Sequence, residues 1–159
     1  MQNGSGTTID LGGIGVRFLV EAQDSAGVAT VFECTVEGGA QVPPPHSHDA
    51  FDETVYGLEG VLTFTIDGNP REIRPADSVC IRRGQVHQFV NSGPVDAKFL
   101  SVATPGVFGP DYFTEIRDVL IAGGDGPPDL AALLDVMRRH GLTPARVSPG
   151  STKRQKGTS

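Results

Sequence analysis

Residues 43–60 read PPPHSHDAFDETVYGLEG, from Pro43 to Gly60, and this stretch decides the fold. It holds two of the four histidines of the chain and three acids, Asp49, Asp52 and Glu53, within five residues. Side chains two apart on a strand point the same way, so His46 and His48 converge from one face. Two imidazoles so placed are a common way to offer nitrogen ligands to a divalent metal. Glu53 lies at an odd offset and would fall on the opposite face of a straight strand. The link DAFD must therefore turn or bulge if Glu53 is to join the histidines, and Asp49 and Asp52 are typical turn residues.

Further along, His87 opens the apparent strand HQFVN directly after the turn RRGQ. The fourth histidine, His140, ends a helical pattern just before Gly141, where it suits the helix C-terminus. The residues alone thus offer His46, His48, Glu53 and His87 as a three-imidazole, one-carboxylate site. The alternative at this level is a set of partly buried, hydrogen-bonded and inert strand histidines.

Composition narrows the frame. A length of 159 residues suits one domain with a real core, and 21 glycines with 12 prolines suit many short strands better than long helices. A net charge of −6 argues against nucleic acid as a partner, because phosphate binding needs a concentrated basic face. No run of 18 apolar residues exists to span a membrane, and the N-terminus carries no signal-peptide pattern, so a cytoplasmic location is expected. Cys34 and Cys80 form no CxxC and are expected as two buried thiols.

Residues 1–13 read as a flexible lead, 14–143 as one domain, and 144–159 as a disordered polar tail. IGVRFLVEA and VATVFECTVEGG form a hairpin around QDSAG, and the prolines of AQVPPP keep that segment extended and outside any ladder. ETVYGL, VLTFTI, DSVCIRR, HQFVN and AKFLSVAT supply further strands, with turns at Glu59-Gly60, Asp67-Gly68 and Arg83-Gly84. DYFTEIRDVLIA and PPDLAALLDVMRRHG carry helical spacing that stops at Gly123 and Gly141. About eight short strands followed by two short helices, without internal repeat, predict one barrel.

The stretch resembles the first motif of the cupin superfamily: Gly, five residues, HxH, three or four residues, Glu, six residues, Gly. His46, His48, Glu53 and Gly60 fit it. ADSVCIRRGQVHQFVN resembles the second motif, Gly, five residues, PxG, two residues, His, three residues, Asn, at Gly84, His87 and Asn91. Ala40 and Ala76 stand where the motifs have glycine and Arg82 where the second has proline. All three are scaffold positions, so the ligand set is untouched.

The resemblance implies an all-β fold, the double-stranded β-helix or cupin jelly-roll barrel, with two short C-terminal helices. It implies one divalent transition metal ion on His46, His48, Glu53 and His87, and that donor set suits Fe, Ni, Mn, Co, Cu or Zn alike. The helical tail is similar to that of single-domain bacterial cupins resembling quercetin dioxygenases. The implied activity is a metal-dependent dioxygenase acting on a small aromatic or enolic compound, with Glu53 also placed to act as a catalytic base. A metal-dependent isomerase, cyclase or decarboxylase, or a non-catalytic small-molecule-binding cupin, stand as the alternatives, because one fold hosts all of them. Val55 and Gly57 share the parity of Glu53 and are expected to line the interior, Gly57 leaving room in the cup. The partner expected is a small molecule, with a homodimer pairing through the edge GVRFLVEA.

Overall fold

The computed structural model describes residues 6–145. The remainder of the expected polar tail, residues 146–159, and positions 1–5 lie outside the described residues. The described residues form eleven strands: β1 (Thr8–Asp10), β2 (Ile14–Val20), β3 (Thr30–Val36), β4 (His46–His48), β5 (Asp52–Glu59), β6 (Leu62–Ile66), β7 (Asn69–Ile73), β8 (Ser78–Ile81), β9 (His87–Val90), β10 (Ala97–Thr104) and β11 (Leu142–Pro144). Two helices, α1 (Pro110–Gly123) and α2 (Leu130–Arg139), separate β10 from β11. The strands form two sheets, ordered β1-β2-β3-β10-β5-β8 and β11-β4-β9-β6-β7. Every pairing within them is antiparallel.

The central strands show why the sheets face each other. On β3, Thr30, Phe32, Cys34 and Val36 are buried, and on β10, Ala97, Phe99, Ser101 and Ala103 are buried, with alternate residues less so. This period of two drives one face of each strand out of water. The inward residues merge with Phe18, Val55, Phe64 and Ile81 into one core. Asp67 and Gly68 both take positive φ (48° and 80°), the backbone of a type I′ turn, and close the β6–β7 hairpin. Asp129 caps α2 by accepting from the Ala132 amide at 3.0 Å.

Several expectations are corrected. Part of the expected lead is strand: β1 pairs with β2 at Thr8↔Arg17 through Asp10↔Gly15, so β2 is not the free edge proposed for a homodimer. NPREI, to which the sequence assigns no strand, forms β7 after the expected turn at Asp67-Gly68, because an edge position tolerates Pro70. β11 crosses the expected boundary after residue 143. Cys34 is buried but Cys80 is exposed, since Cys80 lies opposite exposed Thr54 on edge strand β8 while Ile81 takes the inward position. Gly57 leaves no room in the cup. A Cβ there would stand 2.1 Å from the Arg74 carbonyl oxygen, so glycine is needed for close backbone approach.

Candidate metal centre

The strand HSH lies between β9 and β11, which is why His46, Ser47 and His48 are all buried. His46 pairs directly with His87 across β4 and β9. The loop before His87 is fixed by Asp67, which accepts from the Val86 amide at 3.0 Å and from Gln85 Nε2 at 2.9 Å. The turn RRGQ is tied to the first motif. The Gly84 amide donates to the His48 carbonyl at 2.9 Å, and the Arg83 amide donates to Asp52 Oδ1 at 2.9 Å. Within the first motif, the bend at Asp49 and Ala50 turns Phe51 inward, and its ring stacks on His48 at 4.1 Å. β5 then starts at Asp52, and Glu53 enters from the other sheet.

The three imidazoles of His46, His48 and His87 place one ligand atom each within 4.8 Å of one another. Glu53 Oε2 lies 3.7 Å from His48 Nε2 and 3.7 Å from His87 Nε2. Ligand atoms sharing one ion at about 2.1 Å stand roughly 3 to 3.5 Å apart, so these separations are near those of a closed shell. The hydrogen bonds set the tautomers. A carbonyl only accepts, so His46 Nδ1–H donates to Pro44 O at 2.8 Å and His87 Nδ1–H donates to Gln85 O at 3.0 Å. Both Nε2 lone pairs are left free to ligate. His48 Nδ1 is buried without a partner among the described residues, while its Nε2 faces Glu53 Oε2. A cation on Nε2 leaves Nδ1 unpaired, so the fit rests on the spacing of the three imidazoles and the carboxylate. The donor set therefore fits a divalent metal ion.

Burial opposes charge throughout the cluster, and its neighbours decide the outcome. For His46 and His48 burial prevails, aided by neighbouring imidazoles, and lowers them to about 4 and about 3. Burial would raise Glu53, but the His87 and His48 imidazoles and the Ser101 hydroxyl outweigh it and hold the carboxyl down at about 2. Burial would lower His87, but the facing Glu53 carboxylate outweighs it and raises the imidazole. Neutral His46 and His48 beside an ionised carboxylate are in the protonation states that metal ligation requires.

The cup around these groups has a volume of about 60 Å³, with Phe64, Phe89, Phe99 and Phe108 among its walls. Phe89, two residues after His87 on β9, lines the same cup, and Phe108 stacks on Phe51 at 5.0 Å. Two further residues were not singled out by sequence reasoning. Ser101 donates to Glu53 Oε1 at 2.5 Å, and Cys34 lines the cup with a thiol pushed up by burial and by Glu53. Their inward parity on β10 and β3 was the available signal. Asn91 of the second motif serves the scaffold, since its Nδ2 donates to Val36 O at 2.9 Å and Val95 O at 2.8 Å. His140 lies away from the cup and meets Glu115 Oε1 at 2.9 Å.

No curated protein matches the chain in sequence. Solved structures do resemble it. A predicted oxalate decarboxylase from Thermotoga maritima is similar at TM-score 0.57 and 21% identity, over 64% of this chain and 92% of the other. A sugar phosphate isomerase of the cupin superfamily from Silicibacter pomeroyi is similar at TM-score 0.52 and 29% identity, over 59% of this chain and 60% of the other. The polyketide cyclase RemF from Streptomyces resistomycificus is similar at TM-score 0.52 and 25% identity, over 65% and 70%. Residues 32–103 match the family model described as Cupin domain. With two facing antiparallel sheets around inward histidines and two helices after β10, the chain folds as a double-stranded β-helix, and its residues 32–103 are similar to a cupin domain.

Proposed function

We propose that the chain is a metal-dependent enzyme in which His46, His48, His87 and Glu53 hold one divalent transition metal and act on a small aromatic or enolic compound. The observation that carries this reading is the convergence of three buried imidazoles within 4.8 Å, with the Glu53 carboxylate 3.7 Å from two of them. A divalent ion held there supplies a Lewis acid for a substrate oxygen. When Glu53 leaves the metal it becomes the proton acceptor at Oε2, the oxygen that faces His48 and His87, while Oε1 stays held by Ser101. The phenyl walls exclude bulk water and receive a planar substrate edge or face.

Dioxygenation is the first reading, because a small, phenyl-walled cup suits apolar O2 beside a substrate head. Isomerisation or cyclisation is the second, supported by the likeness to the sugar phosphate isomerase and to the polyketide cyclase. Oxygen-electrode traces on metal-loaded protein with a panel of flavonols, enediols and small phenols separate them. Substrate loss with stoichiometric O2 uptake supports the first, and substrate loss without O2 uptake supports the second. Ligand binding without turnover across the panel contradicts both and leaves a binding cupin.

A further inference from the structure

Beside the cup lies a second and larger cavity, an apolar groove of about 340 Å³ between the helices and the barrel. Ile116 and Leu120 of α1 line it together with Leu133 and Met137 of α2. The groove and the cup have Leu11, Ile14, Pro43 and Tyr112 as common walls, so they lie side by side. Tyr112 is only 4% exposed as a residue, and its hydroxyl is not among the fully buried polar atoms left without a partner, so it keeps access to open space. Its ring is a wall of both cavities, and a phenol there presents an apolar body with one polar tip to whatever fills them. The groove reaches the size range of small-molecule sites, whereas the cup alone holds little more than a head group. The chain's own C-terminal sequence does not suit the groove, since residues 146–159 include Arg146, Lys153, Arg154 and Lys156 and no apolar run.

We propose that the groove is the second half of the substrate site and that the substrate is amphiphilic. Its oxygen-bearing head occupies the cup, its apolar body lies along Ile116, Leu120 and Leu133, and the Tyr112 hydroxyl hydrogen-bonds to it at the junction. This rests on the metal-cup reading above, and it adds the class of substrate: a chelating head on an extended apolar body.

The test is calorimetric binding of n-alkyl hydroxamic acids, from acetohydroxamic to decanohydroxamic acid, to the Ni(II)-loaded full chain. Affinity is expected to tighten about fourfold per added CH2 until the groove is filled. Leu133→Glu flattens this dependence while acetohydroxamic acid binds as in wild type. Ile116→Glu does the same and replaces Leu133→Glu should that variant fail to fold. Tyr112→Phe weakens the long members. A flat series in wild type, with acetohydroxamic acid still bound, overturns the groove and leaves the metal cup standing. A dependence that persists in both groove variants also overturns it, because the tail then lies elsewhere. Failure of acetohydroxamic acid itself to bind the loaded protein overturns both readings.

Discussion

Ser101 Oγ donates a 2.5 Å hydrogen bond to Glu53 Oε1 from a position with no solvent exposure. That bond commits one carboxylate oxygen to β10 and turns the other, Oε2, toward His48 and His87. Ser101→Ala removes the donor while keeping the volume nearly constant. Metal affinity is expected to fall about tenfold, as when the outer partner of a ligand is removed. Chelator competition measures it, and an unchanged affinity would show that Glu53 is oriented by something else.

Gly57 tests the barrel's closeness at β5. An alanine Cβ would meet Arg74 O at 2.1 Å and Arg74 C at 2.8 Å, both backbone atoms that no rotamer change relieves. Gly57→Ala is expected to cost about 3 kcal/mol in urea denaturation. Wild-type stability in this variant would refute the close approach.

Ala76 stands where the second cupin motif has glycine, and it adopts a φ of 72°. The left-handed region costs an L-residue roughly 1 to 2 kcal/mol, partly offset by the greater chain entropy of glycine when unfolded. Ala76→Gly is therefore expected to stabilise the protein by about 0.5 to 1 kcal/mol, read as a higher denaturation midpoint. A lower midpoint would contradict the assignment of strain at this position.

Much of this arrangement was legible in the sequence, and what was not has physical causes. The long alternating runs of β2, β3, β5 and β10, the two helices and the four candidate ligands follow from periodicity and from the two motifs. β1, β7 and β11 escaped notice because three to five residues carry no period worth reading, and β7 also contains Pro70. β11 matters most of these. Leu142–Pro144 pairs with His46–His48 across nearly a hundred residues, and no local pattern announces a pairing of that range. Gly57 was given an interior role from parity alone, whereas the Arg74 backbone that excludes any side chain there comes from a distant loop. Ser101 was readable only as one inward residue among several on β10; its partner Glu53 lies 48 positions away.

The metal-free protein should be acid-sensitive in a defined window. Its folded-state His46 and His48 are lowered to about 4 and about 3, so below about pH 6.5 the unfolded chain takes up protons that the native state refuses. Stability is expected to fall by on the order of 2 to 3 kcal/mol between pH 6.5 and 5. His87 is shifted the other way: its contribution is complete below its unfolded value and is lost as pH rises through its folded one. Most of it is already present by pH 6.5, so it opposes the fall within this window only slightly. Glu53, lowered to about 2, adds a further loss only as pH drops below the ordinary carboxylate range. Denaturant titrations of chelator-treated protein across pH 5 to 7 check this, and a flat profile would contradict neutral, buried His46 and His48.

The most direct measurement is the metal content of the full chain, by elemental analysis after expression in media supplemented with Fe, Ni, Mn, Co, Cu or Zn. His46 is buried against His87 and has its Nδ1–H committed to Pro44 O, so its Nε2 is available only inside the cup. The account predicts about one equivalent of a divalent metal per chain in wild type and a tenth or less in His46→Ala, with the variant still folded. Wild type without metal in every medium, or His46→Ala retaining the full equivalent, would contradict it.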